Sequence, residues 1–224
     1  MNHPDVDAYR IKTFGIPARY ATIRLGDFEP TDAQGAAYDA LNDLVDNFRD
    51  RYVTTSRALA DYPSDPTTIG RGVLLVGKPG TGKTTLACAT ALEVYYSRNL
   101  QVQFITLPDY ISGTIELMKL ENKSDDESNA RWFAGATKLL DVEAAPLLVL
   151  DDVSKEHRAV GSDYAKNELD QLLRLRHREG RPTIITTNLP IPEWAKFYSD
   201  TLHSLIHEAY DFAAIDGADL RRRR

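Results

Sequence analysis

The run Gly77-Lys78-Pro79-Gly80-Thr81-Gly82-Lys83-Thr84 is the densest concentration of chemistry in the sequence. It satisfies G-x-x-x-x-G-K-[ST], a pattern in which glycines let the chain curl until successive backbone N–H groups converge on phosphate oxygens. A helix starting at the end of the run would add the positive end of its dipole. Lys83 is then expected to reach the terminal phosphates and the Thr84 hydroxyl to ligate magnesium, with Thr85 continuing the same turn. Val73-Leu74-Leu75-Val76 before the run and the Ala- and Leu-rich stretch after it supply the strand and helix such a loop needs. A Gly-rich surface turn, the plain alternative, requires neither. The expectation is a site for a nucleoside triphosphate, ATP, with Mg²⁺.

Phosphate chemistry also needs a metal ligand and a group that orients water. Leu147-Leu148-Val149-Leu150-Asp151-Asp152 has that form, a buried strand delivering two carboxylates at its end. Asp151 is expected in the metal shell, and Asp152 is expected to orient or deprotonate the attacking water. Many strands end on an acidic cap, so this motif takes its meaning from the phosphate loop upstream. Thr183-Ile184-Ile185-Thr186-Thr187 runs into Asn188-Leu189-Pro190 and puts an amide at a third strand tip. There Asn188 could hold the nucleophilic water or touch the γ-phosphate, although turn chemistry alone also favours asparagine at such a place.

Bringing three strand tips together takes a parallel sheet. Short apolar runs bounded by turns fall at 73–76, 102–106, 147–150, 183–187 and 212–215, separated by longer amphipathic stretches. That alternation predicts an α/β fold, a five-stranded, mostly parallel sheet with helices on both faces, and the phosphate-loop motif at Gly77 to Thr84 makes it a P-loop NTPase. Upstream, Thr31 and Asp32 can cap a helix whose apolar positions Tyr38, Leu41, Val45, Phe48 and Tyr52 recur at three and four residues and pack on the sheet. Prolines and glycines between Asp61 and Gly72 predict a loop within one domain rather than a linker. Residues 1–66 thus form an N-terminal segment of the same domain, and residues 67–224 form its core. The acidic stretch Glu121 to Asn129 reads as a mobile surface loop.

Composition excludes several classes. Hydrophobic residues at 42% and charged residues at 27% are ordinary for a folded globular chain, which removes disordered and fibrous readings. No apolar run approaches the roughly 18 residues of a membrane span, and no basic region followed by an apolar stretch opens the chain, so a cytoplasmic, membrane-free location is expected. One cysteine, Cys88, makes no internal disulfide and gives the histidines no thiol partner for a structural zinc. A net charge of −6 repels nucleic acid overall, so any DNA contact must come from a local basic surface.

Gly-Lys-Pro-Gly-Thr-Gly-Lys-Thr-Thr from Gly77, Leu-Val-Leu-Asp-Asp ending at Asp152, and Arg-Pro-Thr-Ile-Ile-Thr-Thr-Asn-Leu ending at Leu189 together resemble AAA+ ATPases of the DnaC and IstB group. These are bacterial and phage replicative-helicase loaders and transposition helper ATPases. The likeness runs from about Ile11 to Arg221. Gly15-Ile16-Pro17-Ala18-Arg19-Tyr20 resembles the group's adenine-pocket strip, which assigns Ile16 and Pro17 to nucleotide binding. Ser162 to Leu173 with Arg176 resembles the helix before the sensor strand, and Gly217-Ala218-Asp219-Leu220-Arg221 resembles the closing strand and its terminal arginine. The resemblance implies phosphate and metal binding by Lys83 and Thr84, metal and water handling by Asp151 and Asp152, a first sensor in Asn188, and a second sensor in Arg221. A run of four arginines could equally be a solvated tail. It further implies ATP hydrolysis, a replicative helicase as partner, single-stranded DNA as a possible ligand and homo-oligomers in the ATP state.

Two departures from the group's pattern stand out. Loaders usually carry an extra N-terminal segment that grips the helicase, whereas about ten residues precede Ile11. The group's arginine finger falls in the helix near the C-terminus, where alignment puts Ser204. Such a finger is worth about 10³ to 10⁵ in rate, so hydrolysis is expected to be slow unless another arginine substitutes. Arg174, Arg176 and Arg178 are candidates, although the run reads as the solvated face of an amphipathic helix for two of the three. Tyr110 to Lys119, Lys123 and Arg131-Trp132-Phe133 mix basic and aromatic residues that could contact single-stranded DNA, while helical spacing reads Trp132 and Phe133 as core. The leading reading is a helicase-loader-type ATPase. Alternatives are a transposition helper ATPase, a P-loop small-molecule kinase, and an ATP-dependent interaction module with little hydrolysis.

Overall fold

Alternation along the strands sorts their side chains onto two faces, and both faces are covered. The computed structural model describes residues 12–53, 62–123, 125–154, 162–217 and 219–220. Its strands are β1 (Gly72–Gly77), β2 (Val102–Thr106), β3 (Leu147–Val153), β4 (Thr183–Thr187) and β5 (Tyr210–Ile215), in spatial order β2-β3-β4-β1-β5. Every neighbouring pair is parallel. All five expected strands are present, with β1, β3 and β5 longer than the apolar runs that announced them.

Val73, Leu75, Leu147, Val149 and Ile184 enter one core, beneath α1 (Gly35–Asp46), α2 (Phe48–Arg51) and α3 (Lys83–Arg98). Leu74, Leu148, Leu150 and Ile185 enter the other, beneath α4 (Leu107–Leu120), α5 (Asp126–Ala144), α6 (Ser162–Arg178), α7 (Trp194–Phe197) and α8 (Asp200–Ala209). Helix α3 is rich in alanine, and buried Ala87, Ala89 and Ala91 let it lie close on the sheet. Cys88 is buried with them, and burial pushes its thiol well above the usual range, so it is an inert packing residue.

The N-terminal strip lies along the β2 edge. Phe104 N–H donates to the Phe14 carbonyl at 2.7 Å, and the Phe14 ring meets Tyr95 of α3 edge-on at 5.0 Å. Gly15 is required there, since it has φ 75° and a Cβ would lie 2.4 Å from the Phe104 carbonyl oxygen. The predicted stripe Leu41, Val45 and Phe48 is buried, but its helix is interrupted at Asn47.

Four expectations change. The stretch 121–129 is not all loop, because Asp125 accepts the Ser128 N–H at 2.8 Å and caps α5, whose first turn is Asp126 to Asn129. The 61–72 segment contains a 3₁₀ turn, Pro66–Thr68, capped by Asp65, before Gly72 enters β1. Phe133 is 67% exposed rather than core, and Trp132 is half-buried, because α5 presents this side to solvent. Arg176 is not on a solvated face. It is fully buried and donates to Thr183 Oγ1 and to the carbonyls of Val142, Glu143, Ala145 and Pro182 at 2.8–3.0 Å. Burial pulls its pKa down, but this ring of acceptors satisfies the guanidinium and closes the carbonyl end of α5. Arg176 therefore cannot act on a neighbouring molecule. Arg174 and Arg178 lie on the outer surface and pair with Asp170 and Glu179.

Candidate functional site

The carboxyl ends of the strands open into a cleft of about 810 Å³. Lys83, Thr84 and Thr85 of α3, Thr106 at the tip of β2, Asp151 and Asp152 of β3, Thr186 and Thr187 of β4, and Asn188 just beyond it all line it. Pro79, Gly80 and Gly82 form one lip, and Arg19, Tyr20 and Ile23 form another. Sheets of this type collect ligands at these ends because the loops there diverge and helix N-termini point in.

The loop Gly77 to Gly82 keeps its curl by contacts on both sides. Gly80 and Gly82 have φ of 82° and 94°, and a Cβ on Gly80 would collide with the Asp219 carboxylate. Thr81 Oγ1 donates to the Lys78 carbonyl at 2.9 Å. From outside, Gln34 Nε2 donates to the Thr81 carbonyl at 3.0 Å while its Oε1 accepts the Thr31 N–H at 3.1 Å. The Leu220 N–H donates to the Gly80 carbonyl at 3.0 Å. Lys83 Nζ donates to the carbonyls of Gly77 and Lys78 at 2.7 and 2.8 Å, which holds the ammonium at the mouth of the loop.

On β3 the register with β4 shifts by one residue: Leu150 pairs Ile185, but Val153 pairs Thr187. Asp151 and Asp152 together oppose Thr186, a bulge of the kind that re-aims side chains beside functional sites. Asp152 takes φ 58°, a conformation aspartate tolerates better than most residues. Asp151 is thereby 9% exposed while Asp152 is open to the cleft. Thr186 ties the two together. Its hydroxyl donates to Asp151 Oδ1 at 2.5 Å and accepts the Asp152 N–H at 3.1 Å. Thr84 Oγ1 donates to the same Asp151 oxygen at 2.9 Å. Burial raises the Asp151 pKa, the two hydroxyls oppose that, Asp152 adds to it and Lys83 opposes it. On β4, Thr187 Oγ1 donates to the Val153 carbonyl and accepts the Leu189 N–H, which fixes the tip carrying half-buried Asn188.

Thr84 and Asp151 set a hydroxyl and a carboxylate oxygen side by side at the cleft, the donor chemistry that a hard divalent cation such as Mg²⁺ would take.

Lys83, Thr84, Thr85, Asp151, Asp152, Asn188, Pro79, Gly80 and Gly82 are thus brought to one cleft. Gly77, Lys78 and Thr81 complete the backbone curl beneath it. Ile16 lies elsewhere, buried in the core, and Pro17 borders a second cavity with Gly15 and Thr137. Arg19 and Tyr20 are the residues of that strip that reach the cleft, followed by Ile23 beyond it, with the Arg19 guanidinium 4.5 Å over the Tyr20 ring. Arg221 lies outside the described residues. Sequence reasoning missed Thr186 and Gln34. For Gln34 a signal existed, since Thr-x-x-Gln from Thr31 is a capping-box pattern.

A phosphate-loop cleft at the tip of β1, flanked by a strand with two acidic residues and a strand with a polar tip in this sheet order, defines an AAA+ P-loop NTPase. The model of the IstB-like ATP binding protein family matches residues 48–223, and the chain belongs to that family, within the DnaC/IstB group of AAA+ ATPases. Among solved structures it is similar to the DnaC helicase loader, with 26% identity and a TM-score of 0.67 over 89% of this chain and 99% of that one. A putative primosome component from Streptococcus pyogenes serotype M3 is 20% identical, with a TM-score of 0.63 over 97% of this chain and 98% of that one. AMPPCP-bound DnaA from Aquifex aeolicus is 18% identical, with a TM-score of 0.61 over 92% of this chain and 53% of that one. These last two likenesses show the fold alone. Comparison with curated proteins returns no match. No helix among the described residues is long and apolar enough to cross a membrane.

Proposed function

We propose that this chain binds ATP with Mg²⁺ in the cleft, hydrolyses it slowly, and uses the cycle to load or remodel a replicative helicase on single-stranded DNA in the cytoplasm. The observation that carries the ATPase reading is the meeting of Lys83, Thr84, Asp151, Asp152 and Asn188 in one cleft. The loop's N–H groups and Lys83 bind the β- and γ-phosphates. Thr84 and Asp151 hold the magnesium ion, which when bound neutralises charge developing on the phosphates. Asp152, held open by the bulge, orients the attacking water and accepts its proton, and Asn188 fixes that water against the γ-phosphate. Arg19, Tyr20 and Ile23 supply a wall for adenine, and Arg221 serves as the second sensor of the bound nucleotide. The loader role is supported by likeness to the DnaC helicase loader along nearly all of both chains.

Slow turnover is inferred from α8, where exposed Ser204 offers a hydroxyl in place of a guanidinium. The bound state assembles into homo-oligomers. ATPase rate and particle mass, each with and without single-stranded DNA, test the proposal in the parent and in Asp152→Asn. DNA-stimulated turnover, assembly with ATP and loss of turnover in the variant are expected. A monomer indifferent to DNA would overturn the loader role, and turnover unchanged in Asp152→Asn would overturn the catalytic assignment. The family match favours a second reading, a transposition helper ATPase. Capture of a transposase rather than a helicase by the ATP-bound chain would select it.

A further inference from the structure

Helix α8 carries two histidines one turn apart, His203 and His207, so their side chains share a face. Their Nε2 atoms are 3.2 Å apart, with ring centroids at 4.5 Å and planes inclined at 72°. The arrangement is braced on three sides. Leu202, Leu205, Ile206 and Ala209 anchor the opposite face of the helix in the core. Ser199 caps its first turn by accepting the Leu202 N–H at 3.0 Å. The Phe212 ring of β5 stands edge-on to His207 at 4.9 Å and fixes its plane. Two imidazole nitrogens on one tetrahedral zinc ion, each about 2.0–2.1 Å from the metal, lie about 3.3 Å apart. The pair already has the separation of two ligands of one such ion.

We propose that His203 and His207 form a surface site for a borderline divalent transition-metal ion of the zinc class, with water filling the remaining positions. Imidazole suits such ions, whereas Mg²⁺ prefers oxygen donors, so this site and the nucleotide cleft select different metals. No group of three or more His, Cys, Asp or Glu residues suited to a metal ion occurs among the described residues. The site therefore has two protein ligands and micromolar rather than structural affinity. The same geometry is open to a direct imidazole-to-imidazole hydrogen bond, one ring donating and the other accepting. The two accounts differ in their response to zinc.

The test is calorimetric titration of Zn²⁺ into the full chain, free of any affinity tag and in excess Mg²⁺ so that the cleft's oxygen donors are occupied. One Zn²⁺ per chain at micromolar affinity is expected, weakened roughly tenfold or more by either His203→Gln or His207→Gln. Zn²⁺ should also raise the Tm of the parent but of neither variant. Both substitutions keep a polar side chain in the accessible pair, so melting in metal-free buffer should be nearly unchanged. Absence of micromolar Zn²⁺ binding by the parent, or equal binding by parent and variants, would overturn the site and leave only the hydrogen bond.

Discussion

Two charges are buried at opposite ends of the same sheet, and they are treated differently. At the amino end, Arg176 is fully enclosed, and five hydroxyl or carbonyl oxygens from β4, the segment before it and the end of α5 accept its hydrogen bonds. At the carboxyl end, Asp151 has two threonine hydroxyls, a raised pKa and an opening onto the cleft. A buried charge ringed by acceptors holds the fold together, whereas a buried carboxylate with a raised pKa beside a cleft is a candidate functional group.

Replacing each residue should break this contrast in opposite directions. Arg176→Leu leaves buried oxygens of Thr183, Val142 and Ala145 without their Arg176 donor and should cost about 3 kcal/mol or more in urea unfolding, since each unsatisfied buried polar group costs about 1–3 kcal/mol. The ATP affinity of the folded fraction should be unchanged, and a small stability loss would mean the Arg176 cluster is dispensable.

A smaller effect is expected at Thr186. Thr186→Val keeps the shape but removes one of the two hydroxyl bonds to Asp151 and the acceptor of the Asp152 N–H, so kcat should fall about ten- to a hundredfold, the range of one or two charge-assisted hydrogen bonds. KM should change little, and Thr186→Ser should restore turnover. Equal loss in the Val and Ser variants would mean that packing, not the hydroxyl, matters.

The smallest effects are in pH dependence, and their signs differ. Folding raises the Asp151 pKa, so its contribution to stability declines as pH rises from the ordinary carboxylate range through the raised value. Asp151→Asn should therefore melt higher than the metal-free parent at neutral pH while losing turnover. Burial opposes ionisation of Asp211, but hydrogen bonds from Arg71 at 2.6 Å and Arg51 at 2.8 Å outweigh it and hold its pKa low. Its contribution is present above the ordinary carboxylate range and is lost as pH falls through the depressed value. Asp211→Asn should thus shrink the acid limb of the Tm-versus-pH curve, and Asp151→Asn should leave that limb in place. Identical curves for the two variants would contradict the contrast.

The cleft end of the sheet was legible in the sequence because its chemistry is local. The glycine spacing before Lys83, the apolar run before Asp151 and the strand ending in Asn188 are each readable in a few adjacent residues. What escaped reading depends on partners far along the chain. Leu-Arg-Leu-Arg-His-Arg has the look of an exposed face, and only the proximity of β4 and the end of α5 makes Arg176 internal. Thr186 looks like an ordinary β-branched strand residue until the bulge sets both acids against it. Ile16, which the family resemblance assigns to nucleotide binding, is buried in the core, and a short apolar residue of this kind does not announce whether it faces core or cleft. Phe133 shows the converse, an aromatic at helical spacing that the fold leaves in solvent.

Calorimetric titration of ATP with Mg²⁺ into the parent and into Lys83→Ala tests the central claim most directly. Loss of the ammonium should weaken binding by about a hundredfold, as expected for charge-assisted contacts to phosphate worth about 3 kcal/mol, while the melting curve barely moves. ATP bound equally well by the variant would contradict the assignment of the cleft.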